Sequence, residues 1–159
     1  MKFKSYSLSN YLSIPQISKL SAESKRNIEV VGSVLPFKVN NYVVDELIDW
    51  DHYEDDPIFH LTFPQKEMLL PHHFEEVASA MEGGSGKAEL AEVCRNIRMK
   101  LNPNPAGQQN HNVPGIDGVK LLGIQHKYRE TVLFFPSSGQ TCHSYCTYCF
   151  RWSQFIGMD

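Results

Sequence analysis

Through residues 1–101 apolar side chains recur every three or four positions, the spacing of one helical face. Ser13 and Gln16 have the spacing of a capping box, and Ile17, Leu20, Ile28, Val31 and Leu35 then share a stripe that Pro36 ends. This predicts a first helix with a core side. A second short helix is expected over Val43–Trp50, closed by the acidic stretch DHYEDDP, in which Asp56 before Pro57 marks a turn. Thr62 and Gln65 around Pro64 form another candidate capping pair, leading a short helix through Leu70 that Pro71 interrupts. HHFEEVASAM and KAELAEVCRNIRMKL carry helical periodicity on either side of GGSG and predict a helical hairpin.

The pattern changes after residue 101. NPNPAGQQNHNVPGIDG, residues 102–118, is rich in Asn, Pro and Gly and reads as an irregular connector, stiffened where proline fixes its own backbone and restricts its neighbour. A short strand is expected over Val119–Ile124. TVLFF, residues 131–135, is β-branched and aromatic without alternation, as expected of a strand buried on both faces of a parallel sheet. The chain thus divides into a helical region (1–101), the connector (102–118) and a β-containing segment (119–159), an α+β organisation with no internal repeat.

At 159 residues, 42% hydrophobic and 21% charged, the composition is that of one globular domain. Fifteen Lys and Arg against eighteen Asp and Glu, scattered rather than clustered, argue against nucleic acid or an anionic membrane as partner. The start, MKFKSYSLSNYL, has no apolar core segment and no small-residue cleavage site, so the expected compartment is the cytoplasm, where thiols stay reduced. GGSGK resembles the end of a phosphate-binding loop, but Met81 and Ala88 stand where glycine and Ser or Thr are needed.

The chemistry concentrates in CHSYCTYCF, where Cys142, Cys146 and Cys149 follow the predicted strand. On a helix this spacing would place three thiols on one face, but the intervening His, Ser, Tyr and Thr and the loop-like SSGQT before them are poor helix formers. A structural zinc needs a fourth ligand, for which His126, His143 and Cys94 are candidates. A cubane iron-sulfur cluster held by three thiolates leaves one iron open to a reacting ligand. Cys94, isolated on a predicted helix, reads as core. His126 in GIQHKY is a structural or substrate-side histidine, and the adjacent His72 and His73 make a poor metal pair.

The pattern C-x3-C-x2-C, with aromatic Tyr148 before the last cysteine, resembles the signature of radical S-adenosylmethionine (radical SAM) enzymes. HKYRETVLFF before it and FRW after it are similar to the lysine 2,3-aminomutase branch, as are YVVDELIDW, DDPIF and FPQKEML upstream, so the resemblance runs from Val43 onward. It implies that the segment begins a partial (β/α) TIM-type barrel. It also implies that Cys142, Cys146 and Cys149 ligate a 4Fe-4S cluster whose open iron chelates S-adenosyl-L-methionine, that Tyr148 lies near the adenine, and that Arg151 faces the cluster's charge unless it is merely solvated. A flavodoxin or ferredoxin would supply the electron, and a 5'-deoxyadenosyl radical would then attack a small-molecule substrate, an amino acid in the aminomutases. The pyridoxal phosphate lysine of those enzymes lies well downstream of the cluster, and no Gly-Gly-Glu stretch follows the cysteines here. The resemblance therefore suggests an amino-terminal portion, inactive alone, whose remainder could be a separate chain. The alternative is a small zinc or iron-sulfur module that acts through a protein partner.

Overall fold

The computed structural model describes residues 2–101, 107, 111–134, 142 and 144–146. Their architecture is α+β: a helical layer with one small antiparallel pair at its start and two antiparallel hairpins after it. Strand β1 (Ser5–Ser7) pairs with β2 (Lys38–Asn40), Tyr6 opposite Val39, both of them buried.

The predicted first helix is divided. Residues Tyr11–Ser13 and Pro15–Lys19 form two 3-10 turns, and only Ala22–Val34 is α-helical (α1). Pro15 explains the break, because a residue without an N–H is tolerated at the first position of a helix and not inside one. The cap is Ser21, whose hydroxyl accepts the Ser24 amide at 3.0 Å, whereas the Ser13 hydroxyl donates to the Asn10 carbonyl. The apolar stripe was nevertheless sound as a burial pattern, since Ile17, Leu20, Ile28, Val31 and Leu35 are all buried.

The expected second helix is a single π-type turn, Val43–Leu47, and Ile48 already has extended backbone. The Trp50 indole donates to the Val44 carbonyl at 2.7 Å and folds the chain back over that turn. Pro57 and Pro71, read as breaks, open helices α2 (Pro57–Thr62) and α3 (Pro71–Glu82) at their first positions. Asp56 caps α2 by accepting the Phe59 amide at 2.6 Å. Thr62 ends α2 and donates its hydroxyl to the Ile58 carbonyl, so it caps nothing downstream.

The helical hairpin is present: α3 is followed by α4 (Lys87–Leu101). Between them Gly84 takes φ +70°, and the Ser85 amide donates back to the Ala80 carbonyl at 3.2 Å, a Schellman-type ending that needs the left-handed residue. Two apolar clusters meet along α1. One gathers Ile28 with Tyr11, Phe37, Trp50, Phe59 and Phe63; the other gathers Val30, Val31 and Val34 with Phe74, Val77, Cys94 and Ile97. Arg98 of α4 donates to the Ser33 and Val34 carbonyls at 2.9 and 2.6 Å and so satisfies the end of α1.

The expected irregular connector, residues 102–118, of which 102–106 and 108–110 lie outside the described residues, holds a strand near its end: β3 (Gly115–Ile116) pairs with β4 (Val119–Lys120), and after it β5 (Ile124–Tyr128) pairs with β6 (Thr131–Phe134). The predicted strand over Val119–Ile124 is therefore two strand ends separated by a turn. The larger correction concerns TVLFF, whose residues Thr131–Phe134 are antiparallel to β5 and exposed. Only Arg129 and Glu130 separate the two strands, a connection that suits a hairpin, whereas parallel neighbours need a crossover of a dozen or more residues. Among the described residues no helix is long and apolar enough to cross a membrane.

Candidate metal centre

Past β6 the chain reaches the cysteine-rich stretch, of which Cys142, Ser144, Tyr145 and Cys146 are described. Cys142 and Cys146 are free thiols, both exposed. Cys149, Tyr148, His143 and Arg151 lie outside the described residues, and the described residues by themselves bring together no group of three potential metal-ligating side chains.

The residue that fixes this stretch is one that the sequence reading passed over. Tyr145 donates its backbone N–H to the Leu61 carbonyl at 2.8 Å, in the last turn of α2. Its hydroxyl donates to the Pro36 carbonyl, also at 2.8 Å, just past the end of α1. The ring packs against the cluster that holds Val34, Leu35 and Phe74, and burial pushes the phenol well above its ordinary pKa. The signal available in the sequence was an aromatic residue among His, Ser and Thr, since an aromatic body in a polar loop needs an apolar surface to cover it. The two thiols, on either side of this docked residue in the chain, are exposed. Cys142 Sγ also lies 3.9 Å from the Ser144 carbonyl.

The other candidates separate clearly. Cys94 lies in α4 at 3% exposure, within the second apolar cluster, and burial pushes its thiol up against the smaller opposing effect of Arg98. A thiol so placed resists becoming the thiolate that a metal needs. His126 is on the exposed face of β5, where its backbone N–H donates to the Asn112 carbonyl at 2.8 Å. His72 and His73 sit with ring centroids 4.2 Å apart, His73 buried and held below the usual histidine pKa first by desolvation and then by His72. Two such rings, one of them closed off, do not form a chelating pair. GGSGK joins two helices with no strand before it, as its departures from a phosphate loop imply.

Exposed, unbridged thiols in a loop docked on a helical layer suit thiolate coordination, and the withdrawn Cys94 leaves that role to the loop. In comparisons with known proteins, no family model, curated protein or solved structure matches the chain.

Proposed function

We propose that this chain carries the cluster-binding part of a radical SAM enzyme of the lysine 2,3-aminomutase-like branch. The observation that carries the reading is the C-x3-C-x2-C spacing of Cys142, Cys146 and Cys149, joined to the exposure of the two described thiols. Three thiolates are the donor set for a cubane cluster with one iron left for a reacting ligand, whereas a closed zinc site asks for four. When bound, a 4Fe-4S cluster supplies the single electron that opens S-adenosyl-L-methionine into a 5'-deoxyadenosyl radical.

The chain's own residues have simpler tasks. Cys142 and Cys146 present sulfur at the surface, Cys149 completes the set, and Tyr148 offers its ring beside the nucleoside. Cys94 stays within the core. The partial barrel belongs to the same proposal: β6 leads toward the thiol loop, and its edge away from β5 is unpaired among the described residues, a place for a neighbouring strand. A small-molecule substrate, an electron donor such as flavodoxin or ferredoxin, and a cytoplasmic setting follow from this reading.

The test is anaerobic reconstitution of the full chain with iron and sulfide. About four irons per chain are expected, matched by sulfide, as for a cubane cluster, with a brown colour that Cys146→Ala abolishes. Stoichiometric zinc without sulfide would sink the proposal and favour the small metal-binding module.

A further inference from the structure

We infer that Tyr145 is the positioning residue of the thiol loop, the point at which the helical layer sets the direction in which Cys142 and Cys146 face; this rests on the cluster reading above. The argument is one of constraint. A single hydrogen bond would hold the loop near the helices and let it pivot. Tyr145 is held at both ends instead, its backbone N–H on the Leu61 carbonyl and its hydroxyl on the Pro36 carbonyl, each at 2.8 Å, with the ring packed between. That combination fixes orientation as well as place.

Both acceptors are carbonyls at or just beyond helix ends, where no intrahelical donor is available, so the loop satisfies groups that the helical layer leaves open. They are well separated along the chain: Leu61 belongs to α2, and Pro36 follows α1. The direction of the peptide entering Cys146 is consequently set by two elements packed in the helical layer. Consecutive Cα atoms lie about 3.8 Å apart, and three residues span at most about 11 Å, so the anchor confines Cys146 tightly and Cys142 within a short radius.

A tyrosine that served only to fill the core would not need an exposed thiol beside it. Here Ser144 and Tyr145 are both half-buried, and Cys146, the residue after the anchor, is exposed. The chain thus passes from the docked Tyr145 to an exposed thiol within one residue. Preorganising ligands in this way removes ordering entropy from the metal-binding step.

The experiment compares the full wild-type chain with Tyr145→Ala and Tyr145→Phe. In the reduced, metal-free proteins, the amides of residues 144–146 and the alkylation rates of Cys142 and Cys146 are followed residue by residue. Tyr145→Ala is expected to speed the exchange of these amides by at least about tenfold, through loss of the hydroxyl hydrogen bond and of the packed ring that hold the backbone bond in place, while the already exposed thiols alkylate at close to their wild-type rates. On anaerobic loading it should take up several-fold less iron and sulfide at limiting iron and give a broadened, heterogeneous electron paramagnetic resonance signal after reduction. Tyr145→Phe, which retains the ring and the backbone bond, should restore most of the loading and sharpen the signal. A thermal melt of the helical layer controls for global unfolding, and the phenylalanine variant carries the comparison if the alanine variant does not fold. Unchanged exchange, loading and spectrum in Tyr145→Ala would overturn the positioning role while leaving the cluster reading intact. A wild-type chain that takes up no iron would overturn the cluster reading, and with it the role assigned to Tyr145.

Discussion

Replacing Asp56 by alanine removes two acceptors at once. Its Oδ1 receives the Phe59 amide at 2.6 Å and its Oδ2 the Asp49 amide at 3.0 Å, and the residue is only 9% exposed. The first bond is the N-cap of α2, whose removal costs about 1 kcal/mol. The second deletion leaves the Asp49 amide without its acceptor, at about 1–2 kcal/mol for this part-buried bond. The expected loss is therefore about 2–3 kcal/mol. Two further variants divide that figure. Asp56→Ser keeps a capping oxygen but cannot span both amides, so it should lose only the Asp49 share. Asp56→Asn keeps the cap and turns an NH2 donor toward the Asp49 N–H, and should fall close to serine. Urea unfolding followed by far-UV circular dichroism reads the order directly, and with a slope of about 2 kcal/mol/M the alanine midpoint should drop by about 1–1.5 M. An alanine midpoint within about 0.2 M of wild type, or a serine variant as damaged as alanine, would refute the assignment of two separate bonds.

Stability should also depend on His73. Its folded pKa lies below the ordinary histidine value of about 6.5, from desolvation first, then His72 and Lys100, with Glu76 opposing. The unfolded chain therefore binds the proton first, so stability is full above pH 7 and declines as pH falls through 6.5, with a slope of at most about 1.4 kcal/mol per pH unit. His73→Gln should flatten that slope in urea titrations between pH 7 and 5.5; an unchanged slope would assign it elsewhere. His52, raised by Asp49, contributes with the opposite sign, its stabilisation present below 6.5 and lost as pH rises through its folded value. Gly84→Ala should destabilise by about 1–2 kcal/mol, the cost of a side chain in the left-handed region, because open space around the Cβ cannot relieve a φ of +70°. Gly86→Ala, at the N-cap of α4 with no positive φ and equally open surroundings, is its comparison and should lose less, about 0.5–1 kcal/mol, the difference between glycine and alanine at a cap.

What the sequence revealed and what it hid divide along one physical line. Burial is a local consequence of apolarity, and Ile17, Leu20 and Val31 were placed inside even though a 3-10 turn and an α-helix share the stripe between them. The α3–α4 hairpin was legible because both its periodicity and its glycines are local. Proline was misread because its missing N–H serves equally to end one helix and to begin the next, and the difference at Pro57 and Pro71 lies in the residues that follow. TVLFF has the composition of a buried strand, but pairing direction depends on the connection, and Arg129–Glu130 already allowed only a hairpin. Tyr145 depends on acceptors at Leu61 and Pro36, and the latter is 109 positions away; no local pattern encodes such a contact.

Helix α2 connects these observations. Six residues are too few to stand alone as a helix in water, so α2 persists through what holds its ends and its buried Phe59. Asp56 holds the first turn, and the Tyr145 amide holds a carbonyl of the last. Loosening either end loosens the other, because the two share one short cooperative unit. A ligand that binds the thiols of the docked loop more tightly than those of a released loop must therefore stabilise α2 by its ratio of affinities. Linkage makes the effect reciprocal: the factor by which thiol coordination protects the α2 amides from exchange is the factor by which opening α2 weakens coordination. Under the proposed function, the acidic cap at Asp56, remote in sequence from every cysteine of the loop, is thereby placed in thermodynamic contact with the ligand of those cysteines.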